Sequence, residues 1–224
     1  MEKLIITVAP TGSLPQKKNT PHVPITPAEI IETAIRCESA GAAILHVHVR
    51  NPVDESPSPD YELFEEVHAG LKAKTNLIIQ ISTGGRAGMG YEQRAERLKL
   101  KPEMASLTTG SVNFPNSVYE NSPSLIESLA KDMLDYGIKP EMEIFDTSMI
   151  NNALELQKKG LAIVPLHHAR VVCLSYAGGP VSQSRSHGST ANSGDMVITP
   201  LLVSSACARK WSMPKAASVV RSSE

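Results

Sequence analysis

Gly41-Ala-Ala-Ile-Leu-His-Val-His-Val-Arg50 is the segment of this 224-residue chain that says most about its architecture. It is a short apolar run typical of a buried parallel strand, with histidines at two alternate positions. Alternate strand residues share a face, so His46 and His48 should project from one side, about 6 to 7 Å apart along the chain. One divalent ion can bridge such a pair, whereas two imidazoles without a ligand are costly to bury. We therefore predict a metal site at His46 and His48 rather than two ordinary core histidines.

The rest of residues 1–167 repeats one pattern around this strand. A short apolar run is followed by a loop rich in Gly, Pro or Thr and then by a longer amphipathic segment, which is the pattern of β/α units. The sequence predicts strands at 4–8, 43–49, 77–82, 104–107, 141–145 and 162–165. Helix-start patterns occur at Thr26-Pro27, Asp60, Gly90 and Ser122-Pro123.

Six strands alternating with helices predict an α/β fold, a (β/α)8 or TIM barrel, with a doubly wound open sheet as the alternative. Polar residues gather at the C-terminal ends of several predicted strands, where barrels place their active sites. This distribution favours the barrel.

Composition changes at about residue 168. Residues 1–167 carry 21 acidic and 16 basic residues, whereas residues 168–224 carry two acidic residues, six basic residues and 12 serines, without a helical period. We therefore divide the chain into barrel units one to six, residues 1–167, and an atypical segment, residues 168–224. The barrel is expected to be incomplete at its C-terminal end.

The overall composition excludes some classes of partner. A net charge of −1 with a pI near 6.7 gives no basic surface for nucleic acid or an anionic membrane. The chain has no apolar run of membrane-spanning length, and its N-terminus resembles a short strand rather than a signal peptide. Its three cysteines lack the number and spacing of a disulfide framework. We expect a cytoplasmic protein with a small-molecule partner.

Two strand ends beyond the histidines contain candidate substrate-binding residues. Gln80-Ile-Ser-Thr-Gly-Gly-Arg86 ends a strand with Ser82 and Gly85, where hydroxyls and closely approaching backbone amides could bind a carboxylate or phosphate. A plain Gly-Gly turn is the alternative. Ser106 and Thr108 end the fourth strand, although hydroxyls there could equally cap a turn or helix.

For the other polar residues, the sequence gives weaker reasons to expect a functional role. Glu143 is an acid in an apolar strand, so it should have either an internal salt bridge or a role in substrate or metal geometry. His22 lies in the loop after the first strand, which in a barrel belongs to the active-site rim. Asn113 is a loop candidate, and at most one of His167 and His168 could point inward.

Seven segments together resemble the beta-keto acid cleavage enzymes. They are Thr7-Val-Ala-Pro-Thr-Gly12, Thr20-Pro-His-Val-Pro-Ile-Thr-Pro27, Gly41-Ala-Ala-Ile-Leu-His-Val-His-Val-Arg50, Ser82-Thr-Gly-Gly85, Leu100-Lys-Pro-Glu-Met-Ala-Ser-Leu107, Gly110-Ser-Val-Asn-Phe114 and Lys139-Pro-Glu-Met-Glu-Ile-Phe-Asp-Thr147. The resemblance covers about three quarters of the chain, in order and at matching spacing. Another metal-dependent barrel, such as a hydrolase or aldolase, would explain the histidines but not the other segments.

The resemblance implies a zinc-dependent (β/α)8 barrel. Such an enzyme exchanges acyl groups between a beta-keto acid and acetyl-CoA, giving acetoacetate and a new acyl-CoA, and the family resemblance also implies a homo-oligomer. His46 and His48 match two zinc ligands of the family, and Ser82, Gly85 and Ser106 match positions that hold the substrate. Leu14 falls where the family's type member has a glutamate for the substrate's amino group, so a substrate without an amino group is expected here.

The resemblance stops before the family's last motif. The family carries a Gly-Gly-x-x-Arg-Val-Gly-x-Glu-Asp run that supplies the third zinc ligand and catalytic residues, and no such run occurs in these 224 residues. One interpretation is a slip of reading frame near residue 168, which would leave the segment after it disordered. The other is a divergent, catalytically inactive barrel with a ligand-binding or assembly role. Translating the coding DNA in every frame beyond codon 160 would separate them.

Overall fold

The structure is a computed structural model that describes residues 5–85, 88–114 and 116–162, together with the backbone of residues 170–171 and 198–201. Its strands are β1 (Ile5–Val8), β2 (Ile44–Val47), β3 (Ile78–Ile81), β4 (Met104–Thr108), β5 (Val112–Phe114), β6 (Ser117–Tyr119), β7 (Lys139–Ile144), β8 (Arg170–Val171) and β9 (Ile198–Leu201). Its helices are α1 (Pro27–Ser39), α2 (Tyr61–Lys74), α3 (Tyr91–Ala95), α4 (Pro123–Tyr136) and α5 (Thr147–Lys158), and a 3₁₀ helix (Glu96–Leu100) follows α3.

The main sheet is largely parallel and follows chain order. Its strands are arranged β8-β7-β4-β3-β2-β1-β9, with every pair parallel except β1 and β9. From β1 to β8 the order contains no reversal, as in a (β/α)8 barrel, whereas a doubly wound sheet reverses at its switch point. The predicted α/β class is therefore confirmed, and closure into an eight-stranded barrel remains a prediction.

The two faces of the sheet differ in chemistry. One face packs against the helices in two apolar clusters, to which β2 contributes Leu45 and Val47 and β4 contributes Ala105 and Leu107. The alternate residues form the opposite face, which we call the inner face. Strand register places on it the polar residues Thr7, His46, Gln80, Ser106, Thr108, Glu141 and Glu143.

Helix α1 begins where its sequence predicts. Thr26 accepts a hydrogen bond from the Glu29 backbone N–H at 3.3 Å, and the Glu29 carboxylate accepts one from the Thr26 backbone N–H at 3.0 Å. Pro27 occupies the first turn, where its missing N–H costs nothing. Ser122 caps α4 in the same way, by accepting from the Leu125 N–H at 3.3 Å.

Other elements differ from the prediction. The helix expected after Gly90 has only five residues and continues as a 3₁₀ helix, and the hairpin of β5 and β6 was not predicted. Helix α5 was not assigned a start, although Asp146 accepts hydrogen bonds from the backbone N–H groups of Ser148 and Met149. Residues 163–165 of the strand predicted at 162–165 lie outside the described residues, and so do most of residues 168–224. No helix in the described ranges is long and apolar enough to cross a membrane.

The cap of α1 generates a prediction about acid stability. Burial opposes ionisation of Glu29, but hydrogen bonds from Lys17 and from the backbone of Thr26 and Ile25 outweigh it and lower the pKa to about 2. A carboxylate with a depressed pKa stabilises the fold above its unfolded pKa, near 4.5, and loses that contribution as the pH falls towards 2. The free energy of unfolding should therefore fall more steeply over this pH range in the parent chain than in Glu29→Gln.

Urea titrations at several pH values would measure this difference. Glu32→Gln is the matched control, because Glu32 is an exposed acid on the same helix. Parallel pH dependence in the parent and Glu29→Gln chains would contradict the prediction.

Candidate functional site

The candidate site lies on the inner face, at the C-terminal ends of β2, β3, β4 and β7. Ser82 directly follows β3, and its backbone N–H donates to the Val47 carbonyl at 3.0 Å, which continues the ladder and brings Ser82 beside His48. Thr108 on β4 is the register partner of Glu143 on β7. The parallel register thus collects at one sheet edge the predicted residues from four separate segments.

The histidine pair has geometry suited to one shared ligand. The Nε2 atoms of His46 and His48 are 3.0 Å apart, with the rings at 62° to each other. On its other side His46 Nδ1 lies 2.6 Å from Gln80 Oε1, in a buried contact. An amide oxygen only accepts, so His46 Nδ1–H is the donor and its Nε2 lone pair faces His48. Metal-binding histidines are commonly oriented by such an outer hydrogen bond.

The surroundings of His48 keep it neutral. Burial is the main cause that holds its pKa well below the ordinary value, and electrostatic interactions with His46, Arg97 and Arg50 lower it further. A neutral imidazole is the form that binds a metal. The same environment disfavours a cation that is not directly coordinated, and it favours an anion.

The residues fit a divalent ion in part. Two imidazole nitrogens lie on one face, and the Nε2 atom of Gln80 and the Oγ1 atom of Thr7 on the flanking strands are buried without hydrogen-bond partners. Buried polar atoms in this state are unusual and indicate a place for a ligand or water. Within the described ranges no group of three His, Cys, Asp or Glu side chains comes together, so two ligands are all that this part of the chain supplies.

The segment 82–85 after β3 is held by hydrogen bonds from both sides. Thr83 N–H donates to Ser106 Oγ at 3.2 Å, and Thr83 Oγ1 donates to the Ser106 carbonyl at 2.5 Å. Arg97 Nη1 donates to the carbonyls of Ser82 at 2.9 Å and Gly84 at 3.4 Å. Ser106 is therefore a brace for this segment, and not the helix or turn cap that the sequence left as an alternative.

Arg94 is the second buried arginine behind this segment. Its Nε donates to the Thr83 carbonyl at 2.7 Å, and its Nη2 donates to Asn121 Oδ1 at 2.7 Å and to the Tyr119 hydroxyl at 3.1 Å. Burial lowers the pKa of Arg94, and burial followed by repulsion from Arg94 lowers that of Arg97 to about 10. Both side chains stay cationic at neutral pH and make the site electropositive.

In the part of the chain that the structure describes, Glu143 is held by a hydroxyl group and not by a salt bridge, and the side chain of its register partner Arg170 lies outside the described residues. Glu143 Oε2 accepts a hydrogen bond from Thr108 Oγ1 at 2.6 Å, and no ion pair of Glu143 occurs among the described residues. Thr108 in turn lies 3.3 Å from the Tyr119 hydroxyl. The carboxylate is thus oriented by hydroxyl groups at the same end of the sheet as the histidines.

Other candidates lie farther out or were missed. His22 is exposed on the loop after β1, and Asn113 is exposed on β5, while His167 and His168 lie outside the described residues. Sequence reasoning did not single out Gln80, Arg94, Arg97 or Tyr119. Register could have found Gln80, because it follows from pairing β2 with β3, but a buried arginine in a polar helix has no local signature.

Together, the parallel α/β sheet in chain order and the polar strand-end site with a histidine pair are typical of an α/β enzyme. A family model described as beta-keto acid cleavage enzyme matches residues 3–211, so the chain belongs to the beta-keto acid cleavage enzyme family. The match extends beyond residue 167, the last residue that the sequence assigned to the barrel units.

Curated relatives support the same family. The chain is 50% identical over 164 residues to 3-oxoadipate:acetyl-CoA acetyltransferase of Cupriavidus necator, covering 73% of this chain and 57% of that protein. It is 44% identical over 169 residues to 3-keto-5-aminohexanoate cleavage enzyme of Acetoanaerobium sticklandii, covering 75% and 62%. The chain therefore spans about three fifths of the length of these relatives.

A solved structure agrees in fold. The binary complex of ObcA with oxaloacetate aligns with a TM-score of 0.56 at 26% identity, over 63% of this chain and 35% of that one.

Close packing at Gly85 generates a prediction. A Cβ atom at this position would lie 2.8 Å from Met89 Cβ and 2.9 Å from Arg94 Cδ, both closer than normal contact. Gly85→Ala should therefore reduce the free energy of unfolding by about 1–3 kcal/mol through overpacking. Gly12→Ala is the control, because a Cβ there meets nothing within 4 Å. Urea unfolding would show whether only the first substitution has an effect.

Proposed function

We propose that this protein catalyses zinc-dependent cleavage of a beta-keto acid by acyl exchange with acetyl-CoA, producing acetoacetate and a new acyl-CoA. The proposal rests on one observation: the His46–His48 pair lies beside the 82–85 segment, and two buried arginines hold that segment by hydrogen bonds. Family membership supports the reaction class, and the relatives include proteins named as acetyl-CoA-dependent transferases.

His46 and His48 would hold the zinc ion, with Gln80 fixing the tautomer of His46. Zinc, when bound, supplies a Lewis acid that polarises a carbonyl oxygen. The chain's own residues bind and orient the substrate. The hydroxyl of Ser82 and the closely packed backbone at Gly85 suit a carboxylate, and the positive field of Arg94 and Arg97 favours an anion there.

Ser106, Thr108 and Glu143 complete the proposed substrate contacts from the neighbouring strands. Ser106 supports the 82–85 segment, and Thr108 presents Glu143. A carboxylate held in place by a hydroxyl can accept a proton or a hydrogen bond from a bound substrate without first reorienting. These roles are proposals, and so are the cytoplasmic location and a homo-oligomer of this chain.

The substrate side chain is proposed to be one without an amino group. Leu14, which falls where the family's type member has a glutamate, is 72% exposed on the loop after β1. Two residues earlier, the Gly12 carbonyl accepts a hydrogen bond from the buried Arg50 at 2.7 Å, which anchors this loop. A relative at 50% identity carries the name of 3-oxoadipate, a keto acid with no amino group.

Zinc binding and turnover test the proposal directly. His46→Ala and His48→Ala should each weaken zinc binding by about 100-fold or more, because each removes one of two protein ligands. The measurement is competition with a chromophoric chelator. His68→Ala is the matched control, since His68 lies on α2, whose buried residues belong to the opposite face of the sheet.

Acetoacetate production from 3-oxoadipate and acetyl-CoA is then measured in the zinc-loaded 224-residue chain. Formation at a rate that both histidine variants abolish supports the proposal. Zinc binding without acetoacetate formation from 3-oxoadipate or other beta-keto acids would sink it in favour of the alternative from the sequence, a barrel that binds ligand without catalysis.

Substrate choice tests the role of Leu14. Leu14→Glu should raise kcat/KM for an aminated beta-keto acid relative to 3-oxoadipate by about tenfold, since a carboxylate at the rim attracts an ammonium group and repels a second carboxylate. Leu14→Gln, similar in size but uncharged, is the control. Equal substrate ratios in both variants would place the specificity determinant elsewhere.

A further inference from the structure

We propose that Arg94 and Tyr119 are positioning residues that couple the 82–85 segment to Glu143 and so hold the two halves of the substrate site in register. The proposal rests on the proposed function for what that site binds. Its structural basis is a continuous hydrogen-bond path that passes from β3 to β7 outside the sheet ladder.

The first half of the path fixes the 82–85 segment. Arg94 donates to the Thr83 carbonyl at 2.7 Å, and Thr83 itself is hydrogen-bonded twice to Ser106. The Arg94 side chain also packs so closely on Gly85 that a methyl group would not fit between them. Arg94 is 1% exposed, so its position is set by these contacts and not by solvent.

The second half of the path fixes Glu143, and its hydrogen bonds have a single direction. Arg94 Nη2 donates to the Tyr119 oxygen at 3.1 Å, and Thr108 Oγ1 must donate to the Glu143 carboxylate at 2.6 Å. The 3.3 Å contact between Tyr119 and Thr108 therefore has the tyrosine as donor. Every proton in this second half points from the guanidinium towards the carboxylate, an arrangement in which each bond strengthens the next.

Tyr119 is supplied by the β5–β6 hairpin, which lies outside the main sheet. Arg94 holds the hairpin end through the Glu120 carbonyl at 3.1 Å and Asn121 Oδ1 at 2.7 Å, and its guanidinium lies 5.3 Å from the centre of the Tyr119 ring. The hairpin thus has a function in this arrangement, because it brings the Tyr119 hydroxyl within 3.3 Å of the Thr108 hydroxyl at the end of β4.

Two substitutions with matched controls test the coupling in the zinc-loaded 224-residue chain. Arg94→Lys keeps the charge but loses the branched donor, and Tyr119→Phe removes one hydroxyl. Arg36→Lys and Tyr91→Phe are the controls, because Arg36 is exposed on α1 and the Tyr91 hydroxyl bonds Asp132 on the exposed side of α4. Amide hydrogen exchange of residues 82–85 and the dissociation constant of acetoacetate are measured for each chain.

Arg94→Lys should accelerate exchange at residues 82–85 and weaken acetoacetate binding by about tenfold. Tyr119→Phe should leave that exchange unchanged and lower kcat by about tenfold with little change in KM, because it disturbs only the Glu143 half. Both controls should match the parent chain. Unchanged hydrogen exchange at residues 82–85 in Arg94→Lys overturns the proposal. An equally large loss of acetoacetate binding or of kcat in the control variants also overturns it.

Failure of the proposed function would be recognised separately. In that case the parent chain forms no acetoacetate, whereas the exchange difference between the parent and Arg94→Lys persists, because it needs no substrate.

Discussion

The alternation of side chains along parallel strands, locked by the register between β2 and β3, is the constraint on which the site depends. His46 pairs with Gln80 in that register. The residues directly before and after each of them along its strand pack on the opposite face, against the helices. A slip of one residue would turn both histidines into the apolar cluster and bring Leu45 and Val47 to the inner face. The apolar packing of the helices therefore determines where the polar chemistry can lie.

Two buried arginines stand behind the site with no carboxylate in salt-bridge distance among the described residues. Burying a charge without such a partner is costly, and here the compensation comes mainly from backbone carbonyls and an amide oxygen. The cost of the buried charge is thus offset by contacts that also define the shape of the 82–85 segment.

Much of this architecture could be predicted from local patterns. The strands β1, β2, β3, β4 and β7 and the starts of α1 and α4 follow from apolar runs and from capping residues such as Thr26. The β5–β6 hairpin could not be predicted, because its three-residue strands are largely exposed and too short for a periodic pattern to stand out. Arg94 and Tyr119 were missed for another reason. Their roles depend on partners 11 to 27 residues away, and nothing in the composition around them distinguishes a buried guanidinium from a solvated one.

The chain-order arrangement of the strands also bears on biosynthesis. Each β/α unit can dock on the one synthesised just before it, so the sheet can grow in one direction as the chain leaves the ribosome. Contacts between sequence neighbours require only short loops to close, which favours rapid assembly. At every stage, however, the newest strand presents an unpaired edge, and an arrested or misread nascent chain would expose that edge to other chains. In this architecture the fidelity of translation is therefore also a protection against aggregation.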